Sequence, residues 1–279
     1  MTILQITVLA VIQGLTEFLP VSSSAHLILP SKLLGWPDQG IGFDVAVHVG
    51  TLLAVICYYM ADLVKITSFT CEALVKRRLS PIAKIGFCLV IATVPAALCG
   101  IFFEKYVSSI MRSVEVIAYA TIVFGLLLGL SSYVNRHLVW RNILNIEGQR
   151  PDSLRKMTFS QAVIIGCAQA LALIPGTSRS GITLTAGLFL GLRPEAAARF
   201  SFLLSIPIIA ASGCLEGVKL INHPELAGAS WTDMLIGMSL SFVIAVAVIH
   251  WFMKYISKSG MWLFVLYRVI LGLVLLSLF

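Results

Sequence analysis

The sequence predicts an all-α integral membrane protein: six transmembrane helices plus two re-entrant helical hairpins, arranged as an inverted-topology repeat. Three observations predict it. Hydrophobic residues make up 58% of the chain and charged residues only 12%, with a mean hydropathy of +0.96, whereas a soluble domain carries about 25% charged residues. Six apolar runs are long enough to cross a hydrocarbon core of about 30 Å. Two further runs break off at proline and serine before they can cross.

The first interrupted run spans residues 3–19, stops at Pro20-Val21-Ser22-Ser23-Ser24, and resumes over 26–34. At 1.5 Å rise per residue, a resuming arm of roughly 8 to 11 residues covers only about 12 to 16 Å. It reads as a hairpin that enters the membrane and returns. Irregular backbone at that depth is tolerated only where protein buries it or where it lines a wet cavity. Spans follow at 43–60, 85–103 and 114–134. The second interrupted run covers 159–174, stops at Pro175-Gly176-Thr177-Ser178-Arg179-Ser180-Gly181, resumes over 182–192, and is followed by spans at 200–218, 234–253 and 262–279.

Lysine and arginine set the orientation. Lys65, Lys76, Arg77, Arg78 and Lys84 join spans one and two; Arg136, Arg141, Arg150, Arg155 and Lys156 follow span three; Lys254 and Lys258 join spans five and six. These loops belong in the cytoplasm. Lys32, Lys105, Arg112 and Lys219 are the few cations of the remaining connections, which therefore face outward with both termini. This bias accounts for the net charge of +7, so no nucleic-acid partner is expected. Met1-Thr2-Ile3-Leu4 has no basic n-region, and the first segment is expected to stay in the protein. Cys57, Cys71, Cys88, Cys99, Cys167 and Cys214 show no paired spacing and mostly sit in apolar runs, which argues against a disulfide or metal framework.

The interrupted segments resemble each other. One reads Gln13, then Leu19-Pro20, then serines; the other reads Gln169, then Ile174-Pro175, then serines. Each is followed by three spans, so the halves, about 1–134 and 158–279 around a basic linker 135–157, lie in opposite orientation. Hairpins from opposite faces can then meet near the midplane. The second carries Arg179, a permanent cation whose planar fork suits oxyanions, among serines and glycines whose amides can close around a bound group. That is a phosphate cradle within the membrane, with Glu17, Ser23, His26, Ser178 and Arg179 expected in one pocket. Asp44 and His48, four residues apart on span one, are weighed as an extension of it, with a structural hydrogen bond favoured. Arg199 reads as a cytoplasmic anchor. Arg268, inside span six, must find a carboxylate or carbonyl partner.

Two stretches make the reading specific: Gln13-Gly-Leu-Thr-Glu17-Phe-Leu-Pro20-Val-Ser-Ser-Ser24-Ala-His26, and Pro175-Gly-Thr-Ser178-Arg179-Ser180-Gly-Ile-Thr183. Together they resemble the bacterial undecaprenyl-diphosphate phosphatase family associated with bacitracin resistance, and the resemblance covers the whole chain. It implies hydrolysis of undecaprenyl diphosphate to undecaprenyl phosphate and inorganic phosphate at a site open to the outer face of the bacterial cytoplasmic (inner) membrane. The released carrier lipid would return to peptidoglycan synthesis. It also implies a divalent cation, Mg or Ca. Partners are then a polyprenyl diphosphate lipid and the bilayer, with a homodimer left open. Gln13 departs from the family pattern, in which many members carry glutamate.

Gln13 and Glu17, four apart, share one helix face. Glu17 can hold a cation, with Gln13 as its companion ligand, or accept a proton. His26 can act as acid, base or nucleophile. Ser23 is a nucleophile or ligand and Ser178 a phosphate ligand, with helix capping an equal alternative for any single serine and direct attack by water left open. Ser22, Ser24, Gly176, Thr177, Ser180 and Thr183 complete the expected substrate-binding set. The competing readings are a transporter or flippase of an anionic polyprenyl lipid, since broken helices in inverted repeats also build carriers, and a non-catalytic lipid-binding protein.

Overall fold

The computed structural model describes residues 1–110, 113–139, 154–223 and 227–278, and its regular elements are all helical. They are α1 (Ile3–Thr16), α2 (Ser23–Leu34), α3 (Ile41–Tyr58), α4 (Met60–Lys76), α5 (Pro81–Ile110), α6 (Val114–Val134), α7 (Phe159–Ala170), α8 (Arg179–Phe189), α9 (Pro194–Asn222), α10 (Trp231–Ser259) and α11 (Trp262–Leu278). Short π and 3-10 turns occupy Asn135–Val139, Leu154–Lys156 and Leu171–Leu173. Five helices, α3, α5, α6, α9 and α10, are long and apolar enough to cross a membrane. The chain is a multi-pass membrane protein.

Those five contain the expected spans at 43–60 (to within two residues), 85–103, 114–134, 200–218 and 234–253. The sixth, expected at 262–279, is the shorter apolar helix α11 of 17 residues. The connection carrying Lys65 and Lys76 is not a loop but helix α4, whose Thr70 hydroxyl donates to Ile66 O and Ala83 O and so lies along the start of α5. The returning arms start earlier than expected, at Ser23 and Arg179 instead of 26 and 182, because serines at both junctions serve as N-caps or enter the first turn. Arg112, Arg141, Arg150 and Glu225 lie outside the described residues.

Local chemistry builds the two hairpins alike. Thr2 caps α1 and Thr158 caps α7, each in a capping box with the glutamine three residues on, Gln5 and Gln161. The same offset of 156 residues relates Ser22 (φ 75°) to Ser178 (φ 68°), and Gly35 (φ 62°) to Gly191 (φ 81°). Packing follows the same exchange. Helix α1 lies against α10 and α7 against α5, while α3 packs on α9 and α6 on α11. Small residues permit these approaches: a Cβ on Gly166 would meet the Ala92 carbonyl at 2.6 Å, and one on Gly50 would collide with Ser241 and the Met238 carbonyl.

The two ends of the bundle are chemically distinct. At one, the Met1 ammonium pairs with Asp233 at 3.2 Å and the backbone of Gly40 abuts that of Gly228. At the other, Asp62 of α4 pairs with Arg199 of α9 at 2.5 Å, and the Asn135 amide donates to Leu188 O and Leu192 O. Lys65 and Lys76 continue along α4 from Asp62 at this second end, and Lys84 stands over the Phe159 ring at 5.5 Å. Arg199, read from sequence as a cytoplasmic anchor, is the partner of Asp62 in that ion pair.

Candidate active site

The site lies where the two hairpin crossovers meet. Phe18, fully buried and edge-on to Phe202 at 5.2 Å between ring centroids, pins the chain after Glu17 into the aromatic core. Ser24 Oγ accepts the Gly176 amide at 3.4 Å, and Ser180 Oγ donates to Leu19 O at 2.9 Å. Each crossover thus bonds the other through equivalent serines. Ser22 and Ser178 both adopt positive φ, a conformation that costs a non-glycine residue about 1–3 kcal/mol and clusters at functional sites.

Glu17 is the hub. Its Oε1 accepts Arg179 Nη2 at 2.8 Å; its Oε2 accepts Gln13 Nε2 at 3.0 Å and Ser23 Oγ at 3.1 Å. His48 Nε2 stands 3.8 Å from the same Oε2, its ring oriented by a 2.7 Å bond between Nδ1 and Asp44 O. Arg179 spends its second arm on Ser201 O at 3.2 Å. Glu17 and Arg179 come from different hairpins, and the Glu17 side chain is only 7% exposed. At such burial each charge depends on its partner.

Of the expected residues, Gln13, Glu17, Ser23 and Arg179 form this one cluster. His48 forms the structural hydrogen bond to Asp44 O that the sequence reading favoured, and its Nε2 also stands beside this cluster. Ser178 caps α8 by accepting the Gly181 amide at 3.1 Å and lies 3.2 Å from Ser180 Oγ, a pairing that Ser22 and Ser24 repeat at 3.1 Å. Thr183 bonds Ser201 Oγ at 2.7 Å and so braces the carbonyl that receives Arg179. His26 makes its hydrogen bonds elsewhere: Nδ1 to Ser22 O at 2.7 Å and Nε2 to Tyr267 Oη at 2.5 Å. The amides of Gly176 and Thr177, expected to face a bound group, donate within the protein to Ser24 Oγ and Ile174 O. Crowding explains this, since Gly176 lies against the Ile117 carbonyl.

Among the described residues, the buried polar atoms without a hydrogen-bond partner include Gln13 Oε1, beside Glu17, and Thr177 Oγ1 of the second crossover. The donor set suits a hard divalent cation of the kind that takes one or two carboxylates and completes its shell with substrate phosphates. Sequence reasoning missed Ser201 and Tyr267. Their contacts span separations of 22 and 241 residues, and no local spacing signals them.

Comparison with known proteins gives one answer over the whole chain. The family model described as bacitracin resistance protein BacA matches residues 6–274. The chain is 48% identical over 275 residues to the undecaprenyl-diphosphatase of Teredinibacter turnerae, covering 99% of this chain and 98% of that one. It is 47% identical over 279 residues to undecaprenyl-diphosphatase 2 of Stutzerimonas stutzeri (100% and 99% covered). With the undecaprenyl-diphosphatase of Chromohalobacter salexigens it shares 49% identity over 273 residues (98% and 97%).

Proposed function

The chain belongs to the bacitracin resistance protein BacA family, and on that footing we propose that it hydrolyses undecaprenyl diphosphate to undecaprenyl phosphate and inorganic phosphate. One observation carries the reading at this site: Glu17 holds Arg179 on one oxygen and the Ser23 hydroxyl on the other. A carboxylate, a hydroxyl donating to it and an arginine fork are the base, the nucleophile and the anion clamp of a phosphoryl transfer. A lipid diphosphate competes with Glu17 for Arg179 and frees the carboxylate to act.

In the first step Ser23 Oγ attacks the terminal phosphorus and gives its proton to Glu17. The bond between that phosphorus and the bridging oxygen breaks, and undecaprenyl phosphate leaves. Water then attacks the phosphoserine, the bond between phosphorus and Ser23 Oγ breaks, inorganic phosphate leaves with both protons of the water, and Glu17 returns its proton to Ser23 Oγ. Arg179 and the first-turn amides of α2 and α8, which lack carbonyl partners within their helices, receive the charge. Ser178 braces the start of α8 by accepting the Gly181 amide, and Ser22 occupies the matching strained junction of α2, paired with Ser24 Oγ. His26 is assigned support of the Ser22 crossover rather than attack, because both its ring nitrogens are already engaged. Gln13 Oε1 and Glu17 would hold the divalent cation, which when bound neutralises diphosphate charge.

The full arrangement we propose is six spans with two re-entrant hairpins in inverted repeats, halves about 1–134 and 158–279. The 156-residue offset and the exchanged helix packing support it. With the basic end in the cytoplasm, the site opens outward from the inner membrane. In intact cells of a cysteine-free variant, a cysteine at Arg77 is expected to resist an impermeant thiol reagent and one at Lys32 to react. The reverse labelling contradicts the orientation.

The test of function is inorganic phosphate released from undecaprenyl diphosphate by the purified protein in detergent, where transport cannot be scored. Release in step with undecaprenyl phosphate is expected. Binding without release would favour a carrier.

A further inference from the structure

We infer that Arg268 is a positioning residue for this reaction: it grips both hairpin crossovers by their carbonyl groups and so sets the Ser178 amide and the run Ser178-Arg179-Ser180 against the strained Ser22 junction. The inference rests on the phosphatase reading above. Arg268 lies midway along α11 and is fully buried at 0% exposure. Its partners are backbone carbonyls. Nε donates to Thr121 O of α6 at 3.0 Å, Nη1 to Pro20 O of the first crossover at 3.3 Å, and Nη2 to Gly176 O and Thr177 O of the second, each at 2.9 Å.

A guanidinium in this position is an expensive way to hold a fold together. Charge within a membrane core is costly and usually functional, and well-packed apolar side chains often replace buried charges without loss of stability. What only a planar fork can do is take several carbonyls from separate segments at once. In a trans peptide the C=O and N–H point in opposite directions. Turning Thr177 O onto Arg268 therefore turns the Ser178 amide away from it, at the entry to the run Ser178-Arg179-Ser180. Ser178 is also the residue held at φ 68°, and a strained residue persists only where its surroundings over-determine it. The same guanidinium fixes Pro20 O, two residues before the matching strained Ser22. One side chain thus sets the register of two halves of the site that otherwise meet through serine hydroxyls.

Two glycines make room for it. A Cβ on Gly125 of α6 would stand 2.9 Å from Arg268 Cβ, and one on Gly181 would stand 2.9 Å from Arg268 Nη1. Gly125→Ala therefore displaces Arg268 while leaving its charge in place, and touches no residue of the Glu17 cluster.

The experiment measures kcat and KM for phosphate release from undecaprenyl diphosphate, with melting in detergent, for the parental protein and for Arg268→Lys, Arg268→Met and Gly125→Ala. Lysine keeps the charge but cannot reach all four carbonyls. Arg268→Lys is expected to melt near the parental temperature with KM little changed, and to lose about 100-fold in kcat, the loss expected when preorganised donors to a developing charge are disturbed. Gly125→Ala is expected to lower kcat in the same direction, and to add little in the Arg268→Met background because both changes act through one group. A structural role alone would lower melting and the yield of folded enzyme, with kcat per folded molecule unchanged. Folded Arg268→Lys or Gly125→Ala with nearly parental kcat overturns the inference, and those two variants decide the matter if Arg268→Met does not fold. Parental protein that releases no phosphate overturns the phosphatase reading, and the inference with it.

Discussion

Arg179→Lys is expected to lower turnover of undecaprenyl diphosphate at least about 100-fold while the protein stays folded, and Arg179→Ala to lower it further. The guanidinium spans two directions, with Nη2 on Glu17 Oε1 at 2.8 Å and Nη1 on Ser201 O at 3.2 Å. An ammonium keeps the charge without that fork. Losing a preorganised donor to a developing charge costs about 2.7 to 4 kcal/mol, or about 100- to 1000-fold in rate. Alanine also leaves Glu17 buried without its partner, a change that costs about 3 to 5 kcal/mol of stability for buried pairs. Steady-state kinetics on folded protein, with melting as the control, separates the two effects. Nearly parental kcat in Arg179→Lys would mean that the arginine does not clamp the transition state.

The second large effect separates Glu17 from Gln13. Glu17→Gln is expected to lose most activity, because the amide can neither take the Ser23 proton nor balance Arg179. Gln13→Glu is expected to retain activity. It would place a second carboxylate beside Glu17, where Gln13 Nε2 now donates at 3.0 Å, and two like charges that close favour either a shared proton or a bound cation. The variant should therefore reach half-maximal rate at a lower concentration of divalent cation. Titrating Mg or Ca against phosphate release for both variants checks this. Equal tolerance at the two positions would show that the carboxylate chemistry is misassigned.

Much of this site was legible because its chemistry is local. Proline and serine runs that halt an apolar segment mark a crossover wherever they occur, and an arginine inside such a run calls for an anion or a carboxylate. Glu17 and Arg179 could be paired across 162 residues only because the two segments read as copies. What stayed hidden depends on tertiary placement. Helix α4 was taken for a loop, since a charged loop and an amphipathic helix at the membrane surface share a composition. The left-handed backbone at Ser22 and Ser178 carries no sequence signal, because glycine is the usual occupant of that region. His26 was placed with Glu17 by its nearness to the serine run, yet its ring bonds a tyrosine 241 residues away. Arg268 announced itself as an intramembrane cation, but which carbonyls it would find could be read only from the fold.

In the proposed mechanism Ser23 is activated by Glu17 at the junction of the two hairpins. The most direct measurement is to mix the purified protein with undecaprenyl diphosphate labelled in its terminal phosphate, quench in acid within one turnover, and map the label. The account predicts a phosphoserine at Ser23 that decays as labelled inorganic phosphate appears and is absent from Ser23→Ala and Glu17→Gln. Label on His26 or Ser178, or undiminished phosphate release by Ser23→Ala, would contradict it.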